Sequence, residues 1–539
     1  MSKSLTGLKT VLIQSGALLT GAVCFAGAFP NALAEKGLPF LAWIAYIPVF
    51  WVIRQASLGS TFLWGAFYGY TAYSLFNFWL SDFHPIAGLI VGLVYLVYFM
   101  VLFPLLKLGV LLYPRRGYIL QWLFWMAFEY LRTQGFLGYA YGIIGYSQWQ
   151  VIPIIQIADT FGVWGVSGLI MFPNVWLAEF LSKKERAAGG QSFFYFLKWE
   201  KIPALVWLGA LAGTLVYGFG SQIDYSSAPV SRLALIQHNT DPWLGGMGEY
   251  RRNFDVLKRL SDEALQQEPK PDMIVWSETA FVPRIYWHLQ YRGDPDSYIL
   301  VKDLMEYLSA QEVPFVIGND DARKEPLKNP NAGEEFRVDY NAVMLFEQGN
   351  LVELYRKQHL VPFTELFPYK KQLPGVYKEL KKREDIHLWE PGEKSVVFSG
   401  AGVRFSTPIC FEDTFGYLTR DFVRNGAELI VNLSNDAWSN SLPAQMQHLG
   451  MAVFRAVENR RSLVRSTASG QTCGIDPNGR ILDMASPFTE TQITVSVPIV
   501  TPQARYTVYG DFFPVLCAGV GGLLLIFGIL SATLKKIGR

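Results

Sequence analysis

Three residues in this chain supply a nucleophile, a base and a fixed positive charge: Cys410, Glu278 and Lys357. Each follows a short β-rich run. Glu278 comes after Ile274-Val275-Trp276-Ser277, Lys357 after Leu351-Val352-Glu353-Leu354-Tyr355, and Cys410 after Phe405-Ser406-Thr407-Pro408-Ile409. Side chains at the ends of rigid elements are held firmly enough for chemistry. A thiol attacks as thiolate, and with an ordinary pKa of about 8.5 it needs a carboxylate to take its proton. An ammonium stabilises both the thiolate and the oxyanion of a tetrahedral intermediate. Together the three can perform acyl transfer. Taken singly, each has a plainer reading: Glu278 caps a helix, Lys357 is a solvated turn residue, and Cys410 is a buried thiol or pairs with Cys473. Cys24 and Cys517 lie in apolar runs and read as packing residues, whereas Cys410 is followed closely by Glu412 and Asp413.

The elements that must position these residues lie in a soluble-looking segment. From residue 232, short β-rich runs alternate with amphipathic helical patterns, which predicts a layered α/β domain. Strands are expected at Arg232–Gln237, Met273–Trp276, Phe315–Gly318, Ala342–Phe346, Val396–Phe398, Val403–Ile409, Leu429–Asn432, Leu463–Arg465 and Ile493–Val497. Helices are expected over 247–267, 297–311, 416–425 and 443–460. The charged stretch from Asp320 to Asp339 reads as a solvated loop.

The rest of the 539 residues belongs to a different solvent. Hydrophobic residues make up 51% of the chain and charged residues only 17%, which excludes a disordered protein and points to a membrane protein. A formal charge of +2 offers no basic field for nucleic acid. A bilayer core needs about 20 apolar helical residues per crossing. About eight spans are expected, near 10–29, 38–54, 61–80, 86–112, 118–134, 158–181, 202–220 and 512–533. The fifth is the weakest because it carries Glu129 and Arg132. This divides the chain into a seven-span domain (1–220), an outer domain (221–510) and a final helix with its tail (511–539). Every second connection is basic: Lys3 and Lys9, Arg54, Arg115 and Arg116, the Lys183 to Lys201 group, and the Lys535, Lys536, Arg539 tail. Positive loops stay cytoplasmic, so residues 221–510 are expected outside. The first span, followed by Ala32-Leu33-Ala34, also has the features of a cleavable leader. The uncharged stretch from Gly135 through Tyr141, Tyr146, Trp149 and Ile154 reads as an interfacial aromatic belt, or as a surface that receives acyl chains.

Three segments carry a resemblance to a known family. Trp276-Ser277-Glu278-Thr279-Ala280, the string from Tyr355 to Glu365 (Tyr-Arg-Lys-Gln-His-Leu-Val-Pro-Phe-Thr-Glu), and Pro408-Ile409-Cys410-Phe411-Glu412 resemble the catalytic segments of nitrilase-type carbon–nitrogen hydrolases. The His-Leu-Val-Pro-Phe string, with Asn435-Asp436-Ala437-Trp438, Gln447-His448 and Arg455-Ala456, is similar to the membrane branch of that superfamily, the apolipoprotein N-acyltransferases.

The resemblance implies an αββα sandwich facing the periplasm from the bacterial inner membrane. It implies Glu278 as general base, Cys410 as nucleophile and Lys357 as oxyanion stabiliser, with Glu365 and Glu412 as supporting carboxylates and Glu412 orienting Lys357. A phospholipid would donate its sn-1 acyl chain to Cys410, and the α-amino group of a diacylglyceryl-cysteine on a lipoprotein would accept it. Phe411 stands where many members have Tyr, Thr364 replaces the commoner Gly, and Trp243 matches a substrate-contacting Trp. Leu360–Tyr369 and Trp438–Leu442 are the expected loops over the site. His238, His288, His359, His387 and His448 lack ligand spacing and no phosphate-cradling Gly loop is present, so neither metal nor nucleotide cofactor is expected. Two other classes fit part of the pattern: a membrane-anchored amidase or nitrilase that passes the acyl group to water, and a non-enzymatic transporter or receptor.

Overall fold

The computed structural model describes residues 2–83, 86–186, 193–241, 244–325, 336–370, 372–381 and 388–537. The N-terminal part is a helical bundle. Among the described residues, five helices are long and apolar enough to cross a membrane: Gly7–Ala28, Ala87–Leu112, Val163–Lys183, Phe193–Gly220 and Phe512–Ile537. Helices Leu58–Phe76 and Gly117–Leu131 cover two further expected spans. The expected span at 38–54 is broken into a 3-10 turn, Pro39–Trp43, and a short helix, Ile47–Gln55. Pro39 and Pro48 each sit in a first turn, where a missing N–H costs nothing, so each starts an element instead of continuing one.

Among the described residues, the C-terminal part contains twelve strands in two six-stranded sheets. In chain order they are β1 (Val230–Gln237), β2 (Met273–Trp276), β3 (Phe315–Glu325), β4 (Phe336–Glu347), β5 (Asn350–Arg356), β6 (Val397–Gly400), β7 (Val403–Ser406), β8 (Leu429–Ser434), β9 (Ser462–Thr467), β10 (Cys473–Ile475), β11 (Ile481–Met484) and β12 (Thr491–Pro498). The sheet orders are β12-β1-β2-β3-β4-β5 and β11-β10-β9-β8-β7-β6. Each sheet has three adjacent parallel strands at its centre, β1-β2-β3 in one and β7-β8-β9 in the other.

Alternation along the strands makes the layers. Leu233, Leu235, Met273 and Val275 face the second sheet and join Leu429, Val431 and Val464 in one core. Their neighbours Ala234, Ile236, Ile274 and Trp276 pack against Phe254, Leu257, Leu300 and Leu304 of the helices Met247–Leu265 and Pro295–Ser309. Helices Gly416–Arg424 and Leu442–Asn459 cover the second sheet, which completes the αββα sandwich.

The segment 320–325 and 336–339, expected as loop, is strand instead. Asp320 pairs with Asn341, Ala322 with Asp339 and Lys324 with Arg337 in one long hairpin. Its charges are matched locally by Arg356–Asp321, Arg284–Asp339 and Arg337–Asp339 ion pairs, which lets polar residues stay in the ladder. Residues 326–335 lie outside the described residues. The short strands β10 and β11 also lack an expected counterpart.

The Leu442–Asn459 helix lies against the membrane part. Gln447 accepts from Trp79 Nε1 at 3.1 Å and donates to the Pro30 carbonyl at 2.9 Å, Arg455 donates to the Tyr146 hydroxyl at 2.9 Å, and Gly450 lets Trp149 approach closely. Tyr141, Tyr146, Trp149 and Ile154 are therefore buried in the seam between the two parts, not spread along a lipid-facing belt. Glu129 and Arg132 order this segment from below. Glu129 accepts the Ile144 N–H at 3.1 Å, and Arg132 donates to the Tyr141 carbonyl at 2.8 Å.

Candidate active site

Glu278 follows β2 and is 7% exposed. The next residue, Thr279, has φ +46, so the chain leaves the strand in a sharp turn that is costly for a β-branched residue. β3 passes directly beneath that turn. A Cβ on Gly318 would lie 2.3 Å from the Ser277 carbonyl oxygen and 2.7 Å from the Glu278 Cα, so glycine is required there. Both carboxylate oxygens of Glu278 are held: Oε1 accepts from Asn341 Nδ2 at 2.7 Å, and Oε2 accepts the Asn435 N–H at 2.8 Å.

Lys357 follows β5 and is fully buried. Its Nζ donates to Glu365 Oε1 at 2.8 Å and lies 3.4 Å from Glu278 Oε1. Burial works against the ammonium, but the carboxylates of Glu365 and Glu278 outweigh it and raise the pKa, so Lys357 stays charged. Glu365 is fixed in turn by the Val361 N–H, which donates to its Oε2 at 2.8 Å.

Cys410 begins a 3-10 turn, Cys410–Thr414, with φ +48. A positive φ at a residue with a side chain is strained, and here it sits at the nucleophile candidate. Burial, reinforced by the neighbouring Glu278 carboxylate, pushes the thiol well above its ordinary value against the pull of Lys357. Such a thiol needs a base to ionise. Cys410 and Cys473 are both free, so the disulfide reading falls.

Glu412, two residues on in the same turn, is fully buried, and burial pushes it up to about 7. It accepts from the backbone N–H groups of Gln358 (2.7 Å), His359 (3.0 Å) and Ile409 (2.8 Å) and from the Tyr355 hydroxyl (2.8 Å). Its hold on Lys357 therefore runs through the backbone of the next two residues; the ammonium itself is oriented by Glu365. Phe411 packs on Phe415 and His359 with ring centroids 5.0 and 5.9 Å away, so its ring belongs to the packing under the turn. Trp243 lies outside the described residues.

The expected covering loops both reach the membrane part. Phe363, at φ +66, meets Phe136 edge-on with centroids 5.7 Å apart, and Tyr369 is 6.5 Å from the same ring. Trp438 lies 5.8 Å from Trp79 and 5.4 Å from Phe83. The structure thus gathers Glu278, Lys357, Glu365 and Cys410 under loops that touch aromatic residues of the helical bundle. Asn341, the Asn435 N–H, and a buried group of Asp413, Asp436, His448 and Arg465 beside Cys410 received no role from sequence. Of these, Asn435-Asp436 and His448 stood in strings that carried the resemblance, which was the one available signal.

Residues 232–505 match the carbon-nitrogen hydrolase family, and residues 21–176 match the apolipoprotein N-acyltransferase N-terminal domain. The chain is 44% identical over 529 residues to apolipoprotein N-acyltransferase 1 of Treponema denticola, covering 96% of each chain. It is 45% identical over 516 residues to apolipoprotein N-acyltransferase 1 of Treponema pallidum, covering 94% of this chain and 93% of that one. The apolipoprotein N-acyltransferase of Geobacter metallireducens is 31% identical over 517 residues, with 93% of this chain and 92% of that one covered. Likeness of this extent, spanning the helical bundle and the αββα sandwich alike, makes the chain a member of the apolipoprotein N-acyltransferase family.

Proposed function

We propose that this enzyme moves an acyl chain from the sn-1 position of a phospholipid, through a thioester on Cys410, to the α-amino group of the diacylglyceryl-cysteine at a lipoprotein N-terminus. In the first half-reaction Glu278 takes the thiol proton and Cys410 Sγ attacks the ester carbonyl. The oxyanion forms against the Lys357 ammonium and the Phe411 backbone N–H. Collapse breaks the ester C–O bond, and Glu278 returns its proton to the departing lysophospholipid alkoxide. In the second, the lipoprotein amine attacks the thioester and forms the amide C–N bond. The C–S bond breaks, and the amine's proton passes through Glu278 to the Cys410 thiolate.

The observation that carries this reading is the loop Leu360–Tyr369: it supplies Glu365 to the site and sets Phe363 against Phe136 of the helical bundle. Exposing an acyl chain to water costs about 0.8 kcal/mol per methylene, so a lipid carbonyl must react at membrane level. A site bounded by those aromatic contacts meets that need. The basic connections between apolar helices support eight spans, with 221–510 as the catalytic domain on the periplasmic side of the inner membrane and 1–220 and 511–539 in and beneath the bilayer. Purified protein given phospholipid and a diacylated lipopeptide should add one acyl group to the peptide; release of free fatty acid alone would assign a hydrolase instead.

A further inference from the structure

Behind Cys410 lies a buried group of four charged or titratable side chains from four separate elements. Asp413 comes from the Cys410–Thr414 turn, Asp436 from the segment after β8, His448 from the Leu442–Asn459 helix and Arg465 from β9. All are at most 4% exposed. His448 Nε2 is 2.6 Å from Asp413 Oδ1, and its Nδ1 is 3.1 Å from Asp436 Oδ1. Arg465 pairs with Asp413 through NH1 and with Asp436 Oδ2 through NH2 at 3.1 Å; that NH2 also lies 3.2 Å from His448 Nδ1. Ser434 donates to Asp436 Oδ1 at 3.0 Å. Tyr141, from the membrane part, is the aromatic neighbour, its ring centroid 6.4 Å from the imidazole.

This group joins both halves of the catalytic pair. Asp413 belongs to the turn that begins with Cys410, and Asp436 directly follows Asn435, whose N–H holds Glu278 Oε2. We infer that His448 is a positioning residue for acyl transfer: as an imidazolium donating from both ring nitrogens, it ties the Cys410 turn to the turn that holds Glu278. The inference rests on Cys410 and Glu278 being nucleophile and base. With both nitrogens protonated, the two carboxylates are balanced by two cations and each ring N–H has a carboxylate acceptor. A neutral ring leaves one carboxylate charge unbalanced in a buried site, which favours relaxation of one turn. Burial opposes the charge on His448, but Asp413 and Asp436 outweigh burial and Arg465 and raise the imidazole to about 9.

The test is single-turnover thioester formation by the full-length protein in phospholipid–detergent micelles, followed by intact mass from pH 6 to 10.5. The wild-type rate at saturating lipid should fall as pH passes about 9, where His448 loses its proton; Cys410 and Lys357, both pushed above their ordinary values, do not account for a fall there. His448→Gln should be slower by about 100-fold, the scale expected of an ångström-sized misplacement, with half-saturating lipid unchanged and no fall near pH 9. A purely structural histidine would lower the melting temperature or the active fraction and leave the pH profile of the remaining activity intact. A His448→Gln rate within threefold of wild type, or a wild-type rate level through pH 9, overturns the inference. The wild-type profile decides even where the variant does not fold. Absence of any Cys410-dependent adduct on the wild-type protein would instead refute the underlying assignment of the nucleophile.

Discussion

Asn341 donates its side-chain amide to Glu278 Oε1 at 2.7 Å, and its own carbonyl accepts the Lys357 N–H at 2.8 Å. One residue inside β4 thereby sets the base and the ammonium in register. Asn341→Ala removes a buried hydrogen bond to a charged group, an interaction of about 1.5–3 kcal/mol. Thioester formation should slow by about 10- to 100-fold with melting temperature lowered only slightly. A single-turnover rate equal to wild type would show that Glu278 needs no such support.

Lys357→Ala should abolish thioester formation and also destabilise the protein. A solvated turn lysine could be replaced without cost to folding, but this ammonium lies between two carboxylates in a buried site. Removing one partner from such a group costs about 3–5 kcal/mol. Lowering the pH, or adding Glu365→Gln to the same chain, should restore part of the lost melting temperature by removing the excess negative charge. A Lys357→Ala protein as stable as wild type at pH 8 would contradict this charge balance.

The three central residues were legible because each closely follows a β-rich run in the sequence. Glu278 follows Met273–Trp276 at the bounds expected, whereas the strand expected over Val403–Ile409 stops at Ser406, so three further residues separate it from Cys410. Charges misled where they serve the site. Asp320, Asp321 and Asp339 read as loop because their partners Arg284, Arg356 and Arg337 are distant in sequence or hidden in context. Asn341 could not be found, since a lone Asn in an apolar strand carries no spacing signal. The His448 group could not be assembled either, because its members come from four elements whose meeting depends on the second sheet. In the helical bundle, composition located the apolar stretches, but proline decided that 38–54 is two elements.

Phe136→Ala should loosen the contact between the helical bundle and the Leu360–Tyr369 loop. Water would then reach the thioester more easily. The expected readout is a several-fold rise in free fatty acid relative to acylated lipopeptide, with thioester formation itself nearly unchanged. An unaltered product ratio would mean that this aromatic contact does not protect the intermediate.

His448 also makes a prediction about stability. Its value is raised from about 6.5 unfolded to about 9 folded, so the folded protein holds a proton that the unfolded chain releases across that window. Its stabilisation is fully present below pH 6.5 and is lost as pH rises through 9. The melting temperature should therefore decline between pH 7 and 9, and His448→Gln should flatten that decline. A wild-type melting temperature that rises over the same window would contradict the charged state of the imidazole.

The most direct measurement is intact mass of the purified protein after incubation with phospholipid alone and then with a diacylated lipopeptide. The wild-type protein should gain the mass of one acyl chain, map it to Cys410, and lose it to the lipopeptide; Cys410→Ala should gain nothing. An undiminished adduct on Cys410→Ala, or acylated lipopeptide formed by that variant at the wild-type rate, would contradict catalysis through this thiol.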